Sequence, residues 1–412
     1  MKFWIVLICG LVLHAQQVTK GGQTEEEDLR VRLGEAGNST LEFSRALETH
    51  LKLYPKSPQL PEIERSIFRS AIELKEPQKL VEYGVRILER DPEDLQALEH
   101  TARALLVHDD KASAAKALQY GLQFEKVLRG LEPKKDGAPL KWQQRAELDQ
   151  GIGRALAFQA RASGNLGQQE DALKLAQASF SVNATAEAAR EQARWLVRLK
   201  RLDEAAAKYA DAYSLDATDA ERHRDLSLLR ENWVAAHKTE TGAGDHLLAA
   251  HDRAAAWRDA RLARLRAIDP NALETEAMNF VLPGVAGIKL PMTQLKGKVV
   301  ILDFWATWCA PCRVQHPLYE QVKKRFEGRD DVVFINISTD EDQSLVEPFL
   351  EKSKWSKRVY FESGLSRLLN VSSIPTTVIF NKRGEVASRM NGFLPDRFVD
   401  MLSERIQKIL EE

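Results

Sequence analysis

The chain has 412 residues, enough for two or more domains with full hydrophobic cores. Its 59 basic and 60 acidic residues nearly cancel, and no long basic run occurs, so composition gives no support to nucleic acid or an anionic membrane surface as a partner. Three cysteines, Cys9, Cys309 and Cys312, are too few for a disulfide-stapled scaffold.

The first fifteen residues read as a secretory signal: Lys2 is the positive end, Phe3 to Leu13 the apolar stretch, and Ala15 the small residue before a cleavage point. Eleven apolar residues fall short of a permanent membrane span. Lipid attachment at Cys9 is the alternative, disfavoured by the large Ile8 before it. Localisation is therefore expected to be periplasmic or otherwise exported, as a soluble chain after cleavage. Residues 16–40, polar and acidic at Glu25-Glu26-Glu27-Asp28, read as a flexible linker with no core of its own.

Residues 41–268 read as helix after helix. Thr40 is placed to cap a helix from Leu41 to Tyr54. Leu80, Tyr83, Gly84, Ile87 and Leu88 follow the spacing of one apolar helical face, and a new segment begins near Leu95. Glu170–Thr185 and Asp203–Thr218 match at an offset of 33 residues, which suggests paired helices stacked as a solenoid. The region loosely resembles tetratricopeptide repeats. An irregular α-helical domain remains the alternative, and the matched blocks favour the repeat. Residues 132–139 and 239–244 break the array, and a last helix runs from about Asp245 to Ala267.

Residues 269–412 change period. Phe280–Leu282 and Lys289–Leu290 read as a hairpin, and Val299–Phe304 as a strand buried on both faces because it is continuously apolar but for Asp303. Trp308-Cys309-Ala310-Pro311-Cys312 follows, then a helix to Phe326. A strand at Val332–Ile337, a helix near Ser344–Ser353, a strand near Val359–Phe361 and a short helix at Leu365–Leu369 come next. A strand pair at Thr376–Phe380 and Glu385–Met390, then a terminal helix at Asp396–Leu410, complete the pattern.

Two cysteines separated by two residues at a helix start can close and reopen a disulfide. The helix N-terminus favours the thiolate of Cys309, which is the nucleophile. A zinc half-site is the competing reading. Zinc needs four ligands, and no second Cys or His pair lies at suitable spacing, so neither a metal nor a cofactor is expected.

Phe304-Trp305-Ala306-Thr307-Trp308-Cys309-Ala310-Pro311-Cys312, Pro317, Ile374-Pro375-Thr376 and Leu295-Lys296-Gly297-Lys298-Val299-Val300 together resemble the thioredoxin superfamily, in its TlpA/ResA-type exported branch. The expected fold class is thus multidomain, an all-α helical-repeat domain plus an α/β thioredoxin-like domain. The resemblance implies Cys309 as the exposed attacking thiol and Cys312 as the buried resolving thiol. It implies Asp303 as a buried proton carrier, and Pro375 as the cis-proline beside the sulfurs. Trp308 and Trp305 would pack around the pair and shape the partner surface, an ordinary core role for Trp305 standing beside that reading. Ile374 and Thr376 would offer an edge strand to a substrate peptide. Phe334 stands where thioredoxins often carry lysine, and Gln315 where many relatives carry glutamate. His316 reads as a helix-surface residue.

The leading expectation is an exported reductase of client protein disulfides, of the cytochrome c maturation or copper-site assembly type. It would be recharged by a membrane thiol reductant of the DsbD or CcdA kind, with a possible protein partner on the helical array. Peroxide reduction is disfavoured because Leu302 stands where peroxiredoxins need proline. The alternative from another class is an assembly scaffold or chaperone whose redox domain is accessory.

Overall fold

The computed structural model describes residues 24–133, 140–392 and 394–411. The signal-like residues 1–15 and most of the 132–139 break lie outside the described residues. The chain divides into two compact units, Met1–Asp259 and Ala260–Glu412.

The first unit is built from helices that pack on their neighbours in sequence. They are α1 (Glu25–Ala36), α2 (Thr40–Leu53), α3 (Leu60–Leu74), α4 (Pro77–Arg90), α5 (Leu95–Leu105), α6 (Lys111–Gly130) and α7 (Trp142–Asn165). Then come α8 (Gln169–Val182), α9 (Ala186–Arg198), α10 (Leu202–Ser214), α11 (Asp219–His237) and α12 (Ala243–Ile268). The apolar face foreseen for α4 is the buried one, Leu80, Tyr83, Gly84, Ile87 and Leu88. The 33-residue offset carries through to caps and turns. Thr185 and Thr218 cap α9 and α11 by accepting from Ala188 N and Glu221 N. Gly167 and Lys200, again 33 apart, take positive φ in the turns before α8 and α10.

Carboxylates buried between helices are held by arginines of neighbouring helices. Arg161 binds Glu191, Arg190 binds Asp225, and Arg253 binds Asp211. Breaking such a pair would strand a buried charge, so these contacts fix which helices neighbour one another more than they add net stability.

Two expectations are corrected here. Within the expected flexible linker, residues 25–36 form α1. Thr24 and Glu27 make a reciprocal capping box, and the acidic first turn suits the helix dipole. Its Leu29 is buried in the same core cluster as Leu47, and Glu25 lies 3.4 Å from the buried His50 of α2. The acidic run is thus a helix start. The cap of α2 is Ser39, whose side chain accepts from Glu42 N, so Thr40 is the first helical residue.

The second unit begins within α12, earlier than the expected boundary at 269. Arg266 on its last turn pairs with Glu274 at 3.1 Å. A hairpin of β1 (Val281–Pro283) and β2 (Lys289–Pro291) precedes a five-stranded sheet. Its strands are β3 (Val299–Trp305), β4 (Val332–Ser338), β5 (Val359–Phe361), β6 (Thr376–Phe380) and β7 (Val386–Asn391), in the order β5-β4-β3-β6-β7. β3 runs parallel to β4 and antiparallel to β6. The covering helices are α13 (Ala310–Arg325), α14 (Val346–Ser353), α15 (Leu365–Leu368) and α16 (Phe398–Glu411). Alternate residues of β3 serve two cores. Val300, Leu302 and Phe304 pack with Tyr360, Leu365 and Phe380, while Val299 and Ile301 pack with Tyr319, Val322 and Phe398.

Close helix packing around Gly164 yields a test. A Cβ there would lie 2.0 Å from the Trp195 ring, and that indole is fixed by its bond to Glu191. Gly164→Ala should cost roughly 1–3 kcal/mol by overpacking. Gly130→Ala, on α6 with open space around it, should instead stabilise by up to about 1 kcal/mol. Chemical denaturation of the two variants checks both signs.

Candidate active site

The central strand β3 delivers the chain to the C-terminal edge of the sheet, where open α/β sheets hold their sites. Cys309 is the N-cap of α13, and its Sγ accepts from Cys312 N at 3.2 Å. The two cysteines form a disulfide with their Cα atoms 5.3 Å apart. The free N–H groups of the first turn therefore point at the sulfur that would carry charge. Pro311 lies in the first turn of α13, where a missing N–H costs nothing, and Pro317 lies inside the helix.

Cys309, expected to be exposed, is only 3% exposed, as buried as Cys312 at 4%. As a cap it turns back over α13, and both sulfurs join one apolar cluster with Val285, Trp305, Val346 and Phe361. Trp308 is 69% exposed beside Cys309, so it does not pack around the pair as expected. Trp305 takes the core role, in contact with Phe349 and Trp355. His316 is half-buried and stacks on Trp355 at 3.5 Å. Burial lowers its pKa, so it is not the free surface histidine expected.

The Ile374–Pro375 bond is cis. Ile374 packs against the cluster that holds the cysteines. Thr376 departs from expectation. It pairs with Phe304 on one side and Asn391 on the other, so its backbone is inside the sheet and no edge is offered. Its hydroxyl donates to Ser373 O at 2.7 Å, tying down the proline loop.

Asp303 continues the row of Val299 and Ile301 beneath α13. It is 4% exposed, and burial pushes its carboxyl up to about 7 against the opposing hydrogen bonds from Thr377 and Gln315. Gln315 Nε2 donates to Asp303 Oδ1 at 2.8 Å from one turn beyond Cys312. Opposite Ile301, Phe334 stands edge-on to Tyr319. Among the described residues, the groups that shift the Asp303 carboxyl include no cation.

One positioning residue escaped the sequence reading. Asp340, just past β4, is buried and accepts from Thr307 N at 3.0 Å, Thr307 Oγ1 at 2.6 Å and Ser338 Oγ at 2.8 Å. It clamps the loop two residues before Cys309. The one signal available was an acid directly after an apolar strand, at the strand end where α/β sites gather.

A hairpin, a five-stranded sheet around β3 and a helix-capping dithiol define a thioredoxin-like redox domain. The family match and the curated relatives agree. The Thioredoxin-like family description matches residues 297–386. Thiol-disulfide oxidoreductase ResA of Bacillus subtilis is 30% identical over 128 residues, which is 30% of this chain and 70% of that protein. ResA of Halalkalibacterium halodurans is 28% identical over 134 residues, 32% of this chain and 76% of that one. The solved structure of StoA from Bacillus subtilis aligns at 24% identity and a TM-score of 0.27, over 31% of this chain and 94% of that one. This chain belongs to the thioredoxin-like thiol–disulfide oxidoreductases.

Asp340→Ala would leave the Thr307 N–H and two hydroxyls without their buried acceptor. The expected loss is about 1–3 kcal/mol in chemical denaturation of the oxidised protein. A change below a few tenths would show that the clamp is not needed.

Proposed function

We propose that this protein is an exported reductase of client protein disulfides. The carrying observation is the Cys309–Cys312 disulfide at the N-terminus of α13, with a buried carboxyl of pKa about 7 hydrogen-bonded to Gln315 one turn along the same helix. In the reduced protein, the Cys309 thiolate attacks one sulfur of a client disulfide, and the client's other sulfur leaves as a thiolate. Asp303 takes the proton from Cys312, whose thiolate attacks Cys309 Sγ. The second client sulfur leaves, and two electrons have passed from the dithiol to the client. The carboxyl of Asp303 is suited to this because it changes charge near neutral pH. Trp308 presents an exposed surface beside Cys309, and Ile374, which precedes cis-Pro375, packs against the cluster that holds both cysteines.

Resemblance to ResA supports clients of the apocytochrome c or copper-site kind, and recharging by a membrane thiol reductant. The signal-like first fifteen residues support export. Among the described residues no helix is long and apolar enough to cross a membrane. The 33-residue recurrence of helices, caps and turns supports a tetratricopeptide-like array. Mass measurement of the native protein tests export, with cleavage near Ala15 expected; an intact Met1 or a lipid on Cys9 would refute it.

The direction of electron flow follows from the cap. Ala310 and Pro311 supply no side-chain donor to the Cys309 thiolate, and His316, with its lowered pKa, supplies no charge. Helix N–H groups alone stabilise the thiolate, so its pKa should fall near 7 and the potential below roughly −200 mV. Equilibration with glutathione measures this. A potential near −120 mV, in the oxidant range, would overturn the reductase assignment.

Asp303 also sets a pH window. Its folded pKa is raised above the ordinary 3.8 to about 7, so the stability it contributes is complete below about 4 and lost as pH rises through 7. Asp303→Asn should therefore match the wild type below pH 4 and be more stable above pH 7, by at most about 4 kcal/mol. The same variant should release mixed disulfides more slowly and lose the rise in rate through pH 7. An unchanged pH profile between 6 and 8 would remove Asp303 from the proton path.

A further inference from the structure

Asp303 does not sit alone in its strand. In register across three strands stand Asn336 on β4, Asp303 on β3 and Thr377 on β6, and paired positions share a face of the sheet. Gln315 covers this polar rung from α13 and is 1% exposed. The donors around the carboxylate are Gln315 Nε2 at 2.8 Å and Thr377 Oγ1 at 3.3 Å, both to Oδ1. Two buried acceptors nearby have no donor, Gln315 Oε1 and Asn336 Oδ1. An unpaired buried acceptor is costly, and a native interior normally satisfies it. Among the described residues, the titratable groups that act on one another here are Asp303 and Tyr319. Tyr319 is held neutral by burial and directs its hydroxyl to Ile301 O at 3.4 Å. The proton of Asp303 is therefore the donor that can appear here.

We propose that Gln315 is a two-state positioning residue whose carboxamide turns over when Asp303 gains or loses its proton. With Asp303 ionised, Nε2–H donates to Oδ1, as in this structure. Turning the amide by half a rotation places Oε1 where Nε2 now lies, 2.8 Å from Asp303 Oδ1, a normal length for an O–H···O bond. There the protonated carboxyl donates and the unpaired oxygen is satisfied. A glutamine can do this because its amide carries a donor and an acceptor on one planar group. The consequence is a carboxyl held in both protonation states by a side chain that carries no charge itself. Each passage of a proton between Cys312 and Asp303 is then accompanied by one amide turn.

This inference rests on Asp303 as the proton carrier, and the two ideas separate in one set of measurements. In full-length oxidised protein with glutamine labelled at 13Cδ and 15Nε2, the Gln315 signals should titrate with the Asp303 carboxyl. As pH falls, the Nε2 protons should move upfield while Cδ moves downfield, and Asp303→Asn should abolish both moves. Gln315→Met, nearly the same size without donor or acceptor, should slow release of mixed disulfides about tenfold and displace the pH midpoint. Gln315→Glu, which can again donate and accept, should recover most of the rate on the acidic side. Gln315 signals that stay constant while Asp303 titrates would overturn the amide turn. So would a Gln315→Met pH profile that superimposes on the wild type while Asp303→Asn alters it. If the Gln315 signals follow Asp303 but Asp303→Asn keeps a normal kinetic profile, the turn stands and proton carriage by Asp303 falls.

Discussion

A carboxyl buried in the middle of an apolar strand is the constraint on which the redox unit depends. An isolated charge there would be prohibitively expensive, so the group must be neutralised, hydrogen-bonded or both. Asp303 meets this with a pKa near neutrality and with partners from a neighbouring strand and from the helix above, Thr377 and Gln315. Burial opposed only by neutral hydrogen-bond donors, among the described residues, keeps the balance close. A lysine below it would hold it ionised, and a purely apolar lid would hold it protonated.

The dithiol is supported from the other side by a separate device. Asp340 gathers the Thr307 amide and hydroxyl and the Ser338 hydroxyl at the end of β4, fixing the chain before Cys309. Helix α13 then starts on the cysteine itself. One sulfur is aimed at helix N–H groups, and the other lies a single turn from the amide that touches Asp303. The loop before Cys309 and the start of α13 are thus held by hydrogen bonds already in place, which leaves the backbone around the disulfide little freedom to rearrange.

The helical unit follows a different logic. Among its buried carboxylates, Glu191, Asp211 and Asp225 are each matched by an arginine of a neighbouring helix. Such pairs specify adjacency: an alternative docking would leave a charge unpaired in the interior. Alanine-rich faces allow the close approach seen at Gly164 and Trp195.

Period and punctuation were legible in the sequence because they are local. The i, i+3, i+4 spacing announced α4, the apolar run announced β3, and the Cys-x-x-Cys at a helix start announced the redox pair. The 33-residue recurrence announced paired helices for the same reason. What escaped was decided by contacts between distant segments. The acidic run of α1 read as solvated until His50 and Leu47 gave it something to pack against. Thr376 read as an edge although its hairpin partner was expected; pairing with Phe304 on one side and Asn391 on the other closes that edge. Trp305 and Trp308, identical in type and three apart, went to core and surface because one ends a buried strand and the other lies in the turn after it. Asp340 lies 31 residues from Cys309 in sequence, and only the parallel pairing of β3 with β4 brings it to the loop.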